Sequence, residues 1–304
     1  MKNSKRFLFL FISLVSSIVS VHAQTDSTGL PGDHFSLQGA LEMFKKSSSI
    51  EAFEKLINTE GNNVNNLDLN GDGEIDYVKV IDRADKDVHA FILRVAVSET
   101  ENQDIAVIEL EKTGDTTAML QIIGDEEMYG EPLIVEASDE GDEMYENNGA
   151  GNGPSADYFK GSRIIVNVFF WPSVRFVYRP AYVPWVSPWL WRHYPGWWRP
   201  WRPLGWRVFH PRAFVYHRHY AVVHTHRVVM AHRVYTPYRA SSVTVRTRTT
   251  VARNNYRVTQ TRTRVTSPGG NTRVRTNTTI QKSGGNGGRN NNDDGKRRGK
   301  GKKG

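Results

Sequence analysis

The sequence predicts an α+β fold in which N-terminal helices pack on an antiparallel β-meander, followed by a basic, aromatic C-terminal half that is largely irregular or disordered. Three observations lead to this prediction. Apolar residues recur at helical spacing within residues 37–57. Four β-rich runs, separated by polar stretches, occupy residues 75–123. Beyond residue 160, arginines, aromatic residues and threonines are interspersed with prolines, which disfavour regular helices and central strands.

Two helices are predicted to open the folded part. Ser36 is the expected N-cap of the apolar stripe within Leu37–Phe44, and the capping-box sequence Ser48–Glu51 precedes a second stripe that ends at Ile57. The asparagine- and glycine-rich residues 58–66 do not extend a helix. Four strands should follow, and the helical stripes with one face of these strands supply enough apolar residues for a single core. The predicted strands are Ile75–Ile81, Val88–Val97, Ile105–Leu110 and Ala118–Ile123.

Charge is divided unequally along the chain, although the net charge of the 304 residues is only +8. Residues 24–160 contain 30 acidic and 9 basic side chains, whereas residues 161–304 contain 28 basic and 2 acidic ones. We call these two parts the acidic half and the basic half. The absence of cysteine excludes disulfides, thiolate metal sites, iron–sulfur clusters and cysteine nucleophiles.

These shifts in composition predict the domain organisation. A polar leader (24–35) precedes a calcium-loop α+β domain (36–136). An acidic, glycine-rich linker (137–160) has too few apolar residues to fold and should connect two separate modules. The Arg/Trp/His-rich basic region (161–282) and a disordered basic tail (283–304) complete the chain.

Residues 1–23 predict a secretory signal peptide. Three basic residues precede the apolar run 7–19, and Val21 and Ala23 supply small side chains for cleavage before Gln24. The run is well short of the ~20 residues of a membrane-spanning helix, and the alternative is a retained anchor. We therefore expect an exported protein in the periplasm, on the outer surface or in the medium, with no transmembrane helix in the mature chain.

The stretch from Asp68 to Asp76 predicts a calcium-binding loop. Calcium takes six to eight oxygen ligands, and alternate positions of a tight loop can direct oxygens to one ion. The glycine at position 6 permits the sharp turn that such a loop needs. The alternative is an Asn/Gly/Asp turn that binds nothing, but crowded carboxylates favour a cation. The predicted ligands are the side chains of Asp68, Asn70, Asp72 and Asp76 and the backbone carbonyl of Glu74.

This loop resembles the Asp-x-Asp/Asn-x-Asp-Gly-x-x-Asp calcium loops of EF-hands, dockerins and FG-GAP repeats. Position 12 is Lys79 where an EF-hand has Glu, and the following residues are strand-like, so the loop is most similar to the loop-then-strand form of FG-GAP repeats. Its single copy implies no propeller. Residues 36–135, including the stretch 121–130, also resemble uncharacterised exported bacterial proteins that carry one such loop. That resemblance implies no activity, and we expect Ca²⁺ to be a structural ligand of the loop.

The basic half predicts a surface that binds polyanions. All eight Trp residues lie between Trp171 and Trp206, and residues 163–275 contain 20 arginines and no lysine. Arginine binds phosphate, sulfate or carboxylate with two hydrogen bonds and stacks on aromatic rings. Candidate partners are lipopolysaccharide, acidic glycan and extracellular DNA. Two alternatives remain: the acidic half docks on the basic half, or the segment is a disordered tail without a partner. The predicted polyanion-binding residues are Arg192, Arg199, Arg202, Arg207, Trp197, Trp198 and Trp201.

Two further patterns in the basic half are weaker. The histidines form close pairs, at 217 and 219 and at 224 and 226, with one more at 232. Such pairs on a strand suit a transition metal, but no acidic residue is near in sequence, which favours a basic, pH-sensitive surface. The stretches Val243–Val251 and Tyr256–Val265 alternate with period two and predict strands.

Motifs of known catalytic sites are absent from the sequence, which has no G-x-S-x-G elbow, no H-E-x-x-H zinc helix and no Walker loop. The leading hypothesis is an exported, non-enzymatic calcium-binding protein whose basic aromatic half associates with envelope polyanions. The alternative hypothesis is a calcium-dependent enzyme that acts on an envelope polymer.

Overall fold

Helices and a six-stranded antiparallel sheet form the described part of the chain, which confirms the predicted α+β class. This computed structural model describes the backbone of residues 27–138, 165–266 and 272–282, and side chains for residues 27–138 and 165–252. The predicted signal peptide (1–23), nearly all of the predicted linker and the predicted tail (283–304) lie outside the described residues.

The first two helices lie where the sequence predicts them. Helix α1 (Leu37–Lys46) begins at Ser36, and helix α2 (Ile50–Ile57) begins at Ser49. Each serine side chain accepts a hydrogen bond from the backbone amide three residues ahead, as an N-cap does. The second cap lies one residue later than the capping-box sequence indicates, because the Ser49 hydroxyl and not that of Ser48 meets the free amide of the first turn.

Six strands pair in sequence order, each antiparallel to the next. They are β1 (Val78–Asp85), β2 (Val88–Ala96), β3 (Asn102–Gly114), β4 (Thr117–Gly124), β5 (Leu133–Ala137) and β6 (Tyr220–Val223). Each predicted run overlaps one of the first four strands. Strand β1, however, begins at Val78 and not at Ile75, because the backbone amide of Asp76 still donates to the carbonyl of Leu67 and closes the preceding loop. A short helix, α3 (Glu126–Tyr129), lies between β4 and β5.

Both faces of the sheet are covered. Successive residues of a strand point to opposite faces, so each strand contributes alternate residues to two different cores. On one face, Phe91 joins Phe44 and Phe53 of α1 and α2 in the main core. On the other face, Ile92 and Val107 belong to a smaller core with Tyr235. None of the helices in the described residues is long and apolar enough to cross a membrane.

The described part of the basic half contains short helices joined by irregular chain. These helices are α4 (Pro172–Val177), α5 (Trp206–Ala213), α6 (Val229–Tyr235) and α7 (Val243–Asn255). Helix α7 corrects the strand predicted at Val243–Val251. Ser242 Oγ accepts from the backbone amide of Val245, and Val245 and Thr249 are buried on one helical face, so capping and burial override the low helix propensity of Val and Thr. The predicted strand Tyr256–Val265 is confirmed within β7 (Tyr256–Thr266), which pairs with β8 (Thr272–Lys282).

Residues 165–252 do not form the separate module that the sequence predicts. Strand β6 pairs with β5 at one edge of the sheet. At the other edge, the backbone amide of Asp82 donates to the carbonyl of Trp185 and the amide of Ser187 donates to the carbonyl of Val80. Trp171 and Val174 of the basic half also belong to the main core. The basic half therefore closes both edges of a sheet whose first five strands come from the acidic half.

Candidate functional site

Polar side chains of the predicted calcium loop accept hydrogen bonds from the backbone amides of the same loop. The two carboxylate oxygens of Asp68 accept from the backbone amides of Gly71 at 2.6 Å and Gly73 at 3.0 Å. Asn70 Oδ1 accepts from the amide of Asp72 at 2.9 Å, and Asp72 Oδ1 accepts from the amide of Glu74 at 2.9 Å. Both glycines have positive φ, +73° and +83°, which glycine adopts without strain.

Asp76 is the buried member of this loop. It is 5% exposed, and its carboxylate accepts from the backbone amide of Leu69. Burial, followed by the negative charges of Asp68 and Asp72, raises the pKa of Asp76 to about 7. A bound cation would relieve this repulsion, and a donor set of three carboxylates, an amide oxygen and a carbonyl matches the hard oxygen ligands of Ca²⁺.

The tryptophan-rich segment, Trp171–Trp206, packs against the same loop. The backbone amide of Ile75 donates to the carbonyl of Trp201 at 2.8 Å. The ring of Tyr77, just beyond the loop, lies 5.1 Å from the ring of Trp198, which also contacts Tyr194 at 4.6 Å and Trp201 at 6.0 Å. The predicted calcium loop and the predicted polyanion-binding segment are thus neighbours.

The three predicted tryptophans have different environments. Trp198 is 2% exposed, so its ring supports the segment from inside, in T-shaped contact with Tyr77 and Tyr194. Trp201 is half-buried beside it. Trp197 is 46% exposed, and the Lys55 ammonium lies 5.3 Å from the centre of its ring. Trp197 is therefore the member of the three whose ring is most accessible to a ligand.

The four predicted arginines are all exposed. Arg192 stacks over Trp191 at 4.5 Å, and Arg199 Nη1 donates to the carbonyl of Trp198 at 2.8 Å. Within residues 27–138 and 165–252, neither these two nor Arg202 and Arg207 form an ion pair with a carboxylate. No carboxylate in this part of the chain neutralises their charges.

A second set of arginines pairs with the acidic half. Arg239 Nε lies 2.8 Å from a carboxylate oxygen of Asp125, and Arg227 Nη1 lies 3.2 Å from one of Glu136. Hydrogen bonding to Asp125 raises the pKa of the Arg239 guanidinium. Arg248 Nη1 donates to the carbonyl of Leu69 in the predicted calcium loop at 3.1 Å. These contacts agree with the docking alternative for one group of arginines, whereas the four predicted polyanion-binding arginines form no such ion pair within the described residues.

Glu54 is a buried carboxylate that joins both halves of the chain. Its two oxygens accept from Tyr77 Oη, the amide of Val80, Ser187 Oγ and Trp185 Nε1, at 2.9–3.1 Å. Burial raises the pKa of Glu54, although these four donors favour the ionised form. Because both oxygens are fully engaged, Glu54 serves to hold helix α2, strand β1 and residues 185–187 together.

One cluster of metal-ligating types was not predicted. Glu109, His226 and His232 bring one donor atom each to within 4.8 Å of one another, the only such trio of His, Cys, Asp or Glu side chains in the described residues. The sequence indicates paired histidines on a strand, but residues 217 and 219 lie in a 3₁₀ segment and His226 follows β6. The carboxylate comes from β3, more than a hundred residues earlier, so no local pattern could have revealed it.

Comparisons of the chain with protein families, with curated proteins and with solved structures found no match. The family resemblance of the calcium loop therefore rests on its residues alone.

Proposed function

We propose that the protein is an exported, non-enzymatic calcium-binding protein that associates with an anionic polymer of the cell envelope through its arginine- and tryptophan-rich segment. The observation that carries this proposal is the division among the arginines. One set is paired with the acidic half, whereas Arg192, Arg199, Arg202 and Arg207 are exposed and have no carboxylate partner in the described residues. Exposed guanidinium groups in a segment that also carries an accessible aromatic ring suit phosphate, sulfate or carboxylate groups on a polymer.

Calcium has a structural role in this proposal. The loop holds the tryptophan-rich segment through the hydrogen bond from Ile75 to Trp201, and Tyr77 packs on Trp198. An ion that orders the loop would also order the segment, so calcium and polyanion binding should be positively cooperative, each raising the affinity for the other. The ligand role of Asp68, Asn70, Asp72, Glu74 and Asp76 is part of the proposal.

Calcium titration of thermal unfolding tests the first part. Because a ligand that binds only the native state raises its stability by mass action, millimolar Ca²⁺ should raise the melting temperature of the full chain. Asp72→Ala with Asp76→Ala should abolish the increase. The control Asp85→Ala with Asp87→Ala removes two exposed charges from the β1–β2 turn and should leave the increase intact. An unchanged melting curve of the wild-type chain with and without calcium would refute calcium binding.

Salt dependence of binding to lipopolysaccharide, acidic glycan and DNA tests the second part. Each arginine–phosphate contact releases counterions, so Arg199→Gln, Arg202→Gln and Arg207→Gln together should weaken binding at low salt and flatten the salt slope. A control triple with the same charge change, at the exposed Arg175, Arg212 and Arg233, should retain most of the affinity. Equal losses in the two triples would mean that net charge alone attracts the polymer, and no binding to any of the three polymers at low salt would refute the proposal.

A further inference from the structure

Glu109 presents both carboxylate oxygens to histidines. Its side chain is fully buried on β3, and Oε2 lies 2.6 Å from His226 Nε2 while Oε1 lies 2.7 Å from His232 Nδ1. The two imidazole rings are nearly perpendicular, with centres 4.8 Å apart. Two nitrogens and one oxygen therefore converge on a small volume at the face of the sheet that carries the smaller core.

The position of His226 is fixed on both sides. Gln121 of β4 is buried, and its Nε2 donates to the carbonyl of Thr225 at 2.9 Å while its Oε1 accepts from the amide of Arg227 at 2.7 Å. Gln121 of β4 is directly opposite Glu109 of β3, so the two side chains are neighbours on the same face of the sheet. The backbone flanking His226 is thus clamped directly beside the carboxylate that His226 contacts.

His232 is fixed through helix α6. Glu111, two residues after Glu109 on the same face of β3, accepts from the amides of Met230 at 2.6 Å and Ala231 at 3.0 Å. These amides belong to the first turn of the helix, where backbone amides have no hydrogen-bond acceptor within the helix. The same strand therefore supplies the carboxylate and sets the helix that carries His232.

The cluster is accessible from one side. Glu109 has no exposed side-chain surface, but the side chains of His226 and His232 are 27% and 43% exposed. Arg227, which follows His226 in the sequence, pairs with Glu136 at 3.2 Å, which reduces its repulsion of a cation. An ion held by three protein groups would keep an open coordination position toward solvent, as in catalytic zinc sites.

We propose that Glu109, His226 and His232 bind a divalent transition-metal ion of the zinc class. Two imidazoles and one carboxylate form a borderline donor set that suits Zn²⁺, Co²⁺ or Ni²⁺ and does not suit calcium, which prefers oxygen. This site is distinct from the calcium loop in its residues and its ion, and it does not depend on the proposed function.

Titration of the chelator-treated full chain with Co²⁺ and Zn²⁺ tests the site. We expect one ion per chain with a visible Co²⁺ absorption that Zn²⁺ displaces, and excess Ca²⁺ should not compete. His226→Gln and His232→Gln should each lower the affinity at least about tenfold. The control His224→Gln alters a histidine two residues from His226 that is outside the cluster, and it should bind as the wild type does.

Folding of each variant is checked by circular dichroism, since only cooperatively unfolding variants are compared. Because Glu109 is buried, the two partly exposed histidines carry the test and Glu109→Gln is added only if it folds. Asp72→Ala with Asp76→Ala should leave Zn²⁺ binding unchanged, which separates this site from the calcium loop. The proposal is overturned if the wild-type chain shows no saturable binding, or if His224→Gln loses as much affinity as His226→Gln and His232→Gln.

Discussion

A side chain at Gly71 would displace the guanidinium of Arg248. A Cβ there would lie 2.2 Å from Nη1 of Arg248, and the backbone φ of +73° is unfavourable for any other residue. Gly73 shares the positive φ, at +83°, but has nothing within 4 Å of such a Cβ, and Gly61 has neither constraint. Substituting each of these three glycines by alanine therefore distinguishes the cost of backbone strain from the cost of displacing Arg248.

We predict that Gly71→Ala destabilises the protein more than Gly73→Ala does. Backbone strain should cost each about 1–2 kcal/mol, and the clash should add to the Gly71 variant. Gly61→Ala should be close to neutral. Urea unfolding in the presence of a chelator measures these free energies without a contribution from calcium. Adding Arg248→Ala to Gly71→Ala should recover the difference, and equal losses at Gly71 and Gly73 would show that the arginine contact is unimportant.

His217 should make the protein sensitive to acid. Its ring stacks on Phe214 at 4.6 Å and lies 6.3 Å from His210, and burial followed by the charge of His210 lowers the pKa of His217 to about 4. Between pH 6.5 and 4 the unfolded chain then binds the proton that the native chain excludes, so stability falls as the pH falls.

From pH 6.5 to pH 5, His217 should account for a loss of up to about 2 kcal/mol in the free energy of unfolding. His217→Gln should flatten this part of the pH profile, whereas His193→Gln, at an exposed histidine, should leave it unchanged. Denaturant unfolding at several pH values provides the measurement. A wild-type profile that is retained by the His217 variant would contradict the assignment.

Single-residue roles could be predicted from the sequence only where the partners are close along the chain. The cap of α1 at Ser36 and the winding of the loop by Asp68 depend on residues within five positions. Glu109 and Glu54 look like ordinary strand and helix residues, because their partners lie from 23 to 133 positions away along the chain. Nothing local distinguishes them from an exposed carboxylate.

At the scale of elements, the hydrogen bonds of Glu54 hold helix α2, strand β1 and residues 185–187 together. We predict that Glu54→Gln destabilises the protein by about 2–4 kcal/mol, because an amide nitrogen would face donors that need an acceptor. Glu51→Gln, on an exposed position of the same helix, should change stability by less than about 0.5 kcal/mol. Thermal and denaturant unfolding compare the two. Equal stability of both variants would mean that the four donors find other acceptors.

Periodicity identified elements that bury one face and failed where tertiary contacts choose the conformation. Helices α1 and α2 and the first four strands carry their own apolar pattern and are found near the predicted positions. The threonine–arginine alternation of Val243–Val251 fits a strand equally well, but a cap from Ser242 and two buried residues one turn apart select a helix. Strand β6 has only four residues and gives too short a signal.

At the scale of the whole molecule, the basic half completes the fold of the acidic half. We predict that a chain ending at residue 138 loses cooperative unfolding or melts at least about 10 °C lower, and self-associates, because unpaired sheet edges template pairing with other chains. A chain ending at residue 282 should melt like the full protein. Calorimetry and size-exclusion chromatography test both. A monomeric 24–138 fragment with the full melting temperature would contradict this account.

The charge division suggested two independent parts because composition reports solubility and attraction, and does not report which segment closes a sheet. Arg239 on Asp125 and Arg227 on Glu136 show that part of the basic charge neutralises the acidic half. Docking of the acidic half on the basic half was one alternative that the composition allowed, but composition cannot assign individual arginines to docking or to a free surface. That assignment requires the position of each side chain.

Closure of the sheet by β6 has a consequence for the order of folding. Ile134 and Val223 are paired although roughly 90 residues separate them, which gives this fold a high contact order and predicts slow folding. During synthesis, β1 to β5 emerge from the ribosome long before their edge partners do. Until those partners arrive, strands β1 to β5 leave two sheet edges open, and open edges are prone to pair with other chains.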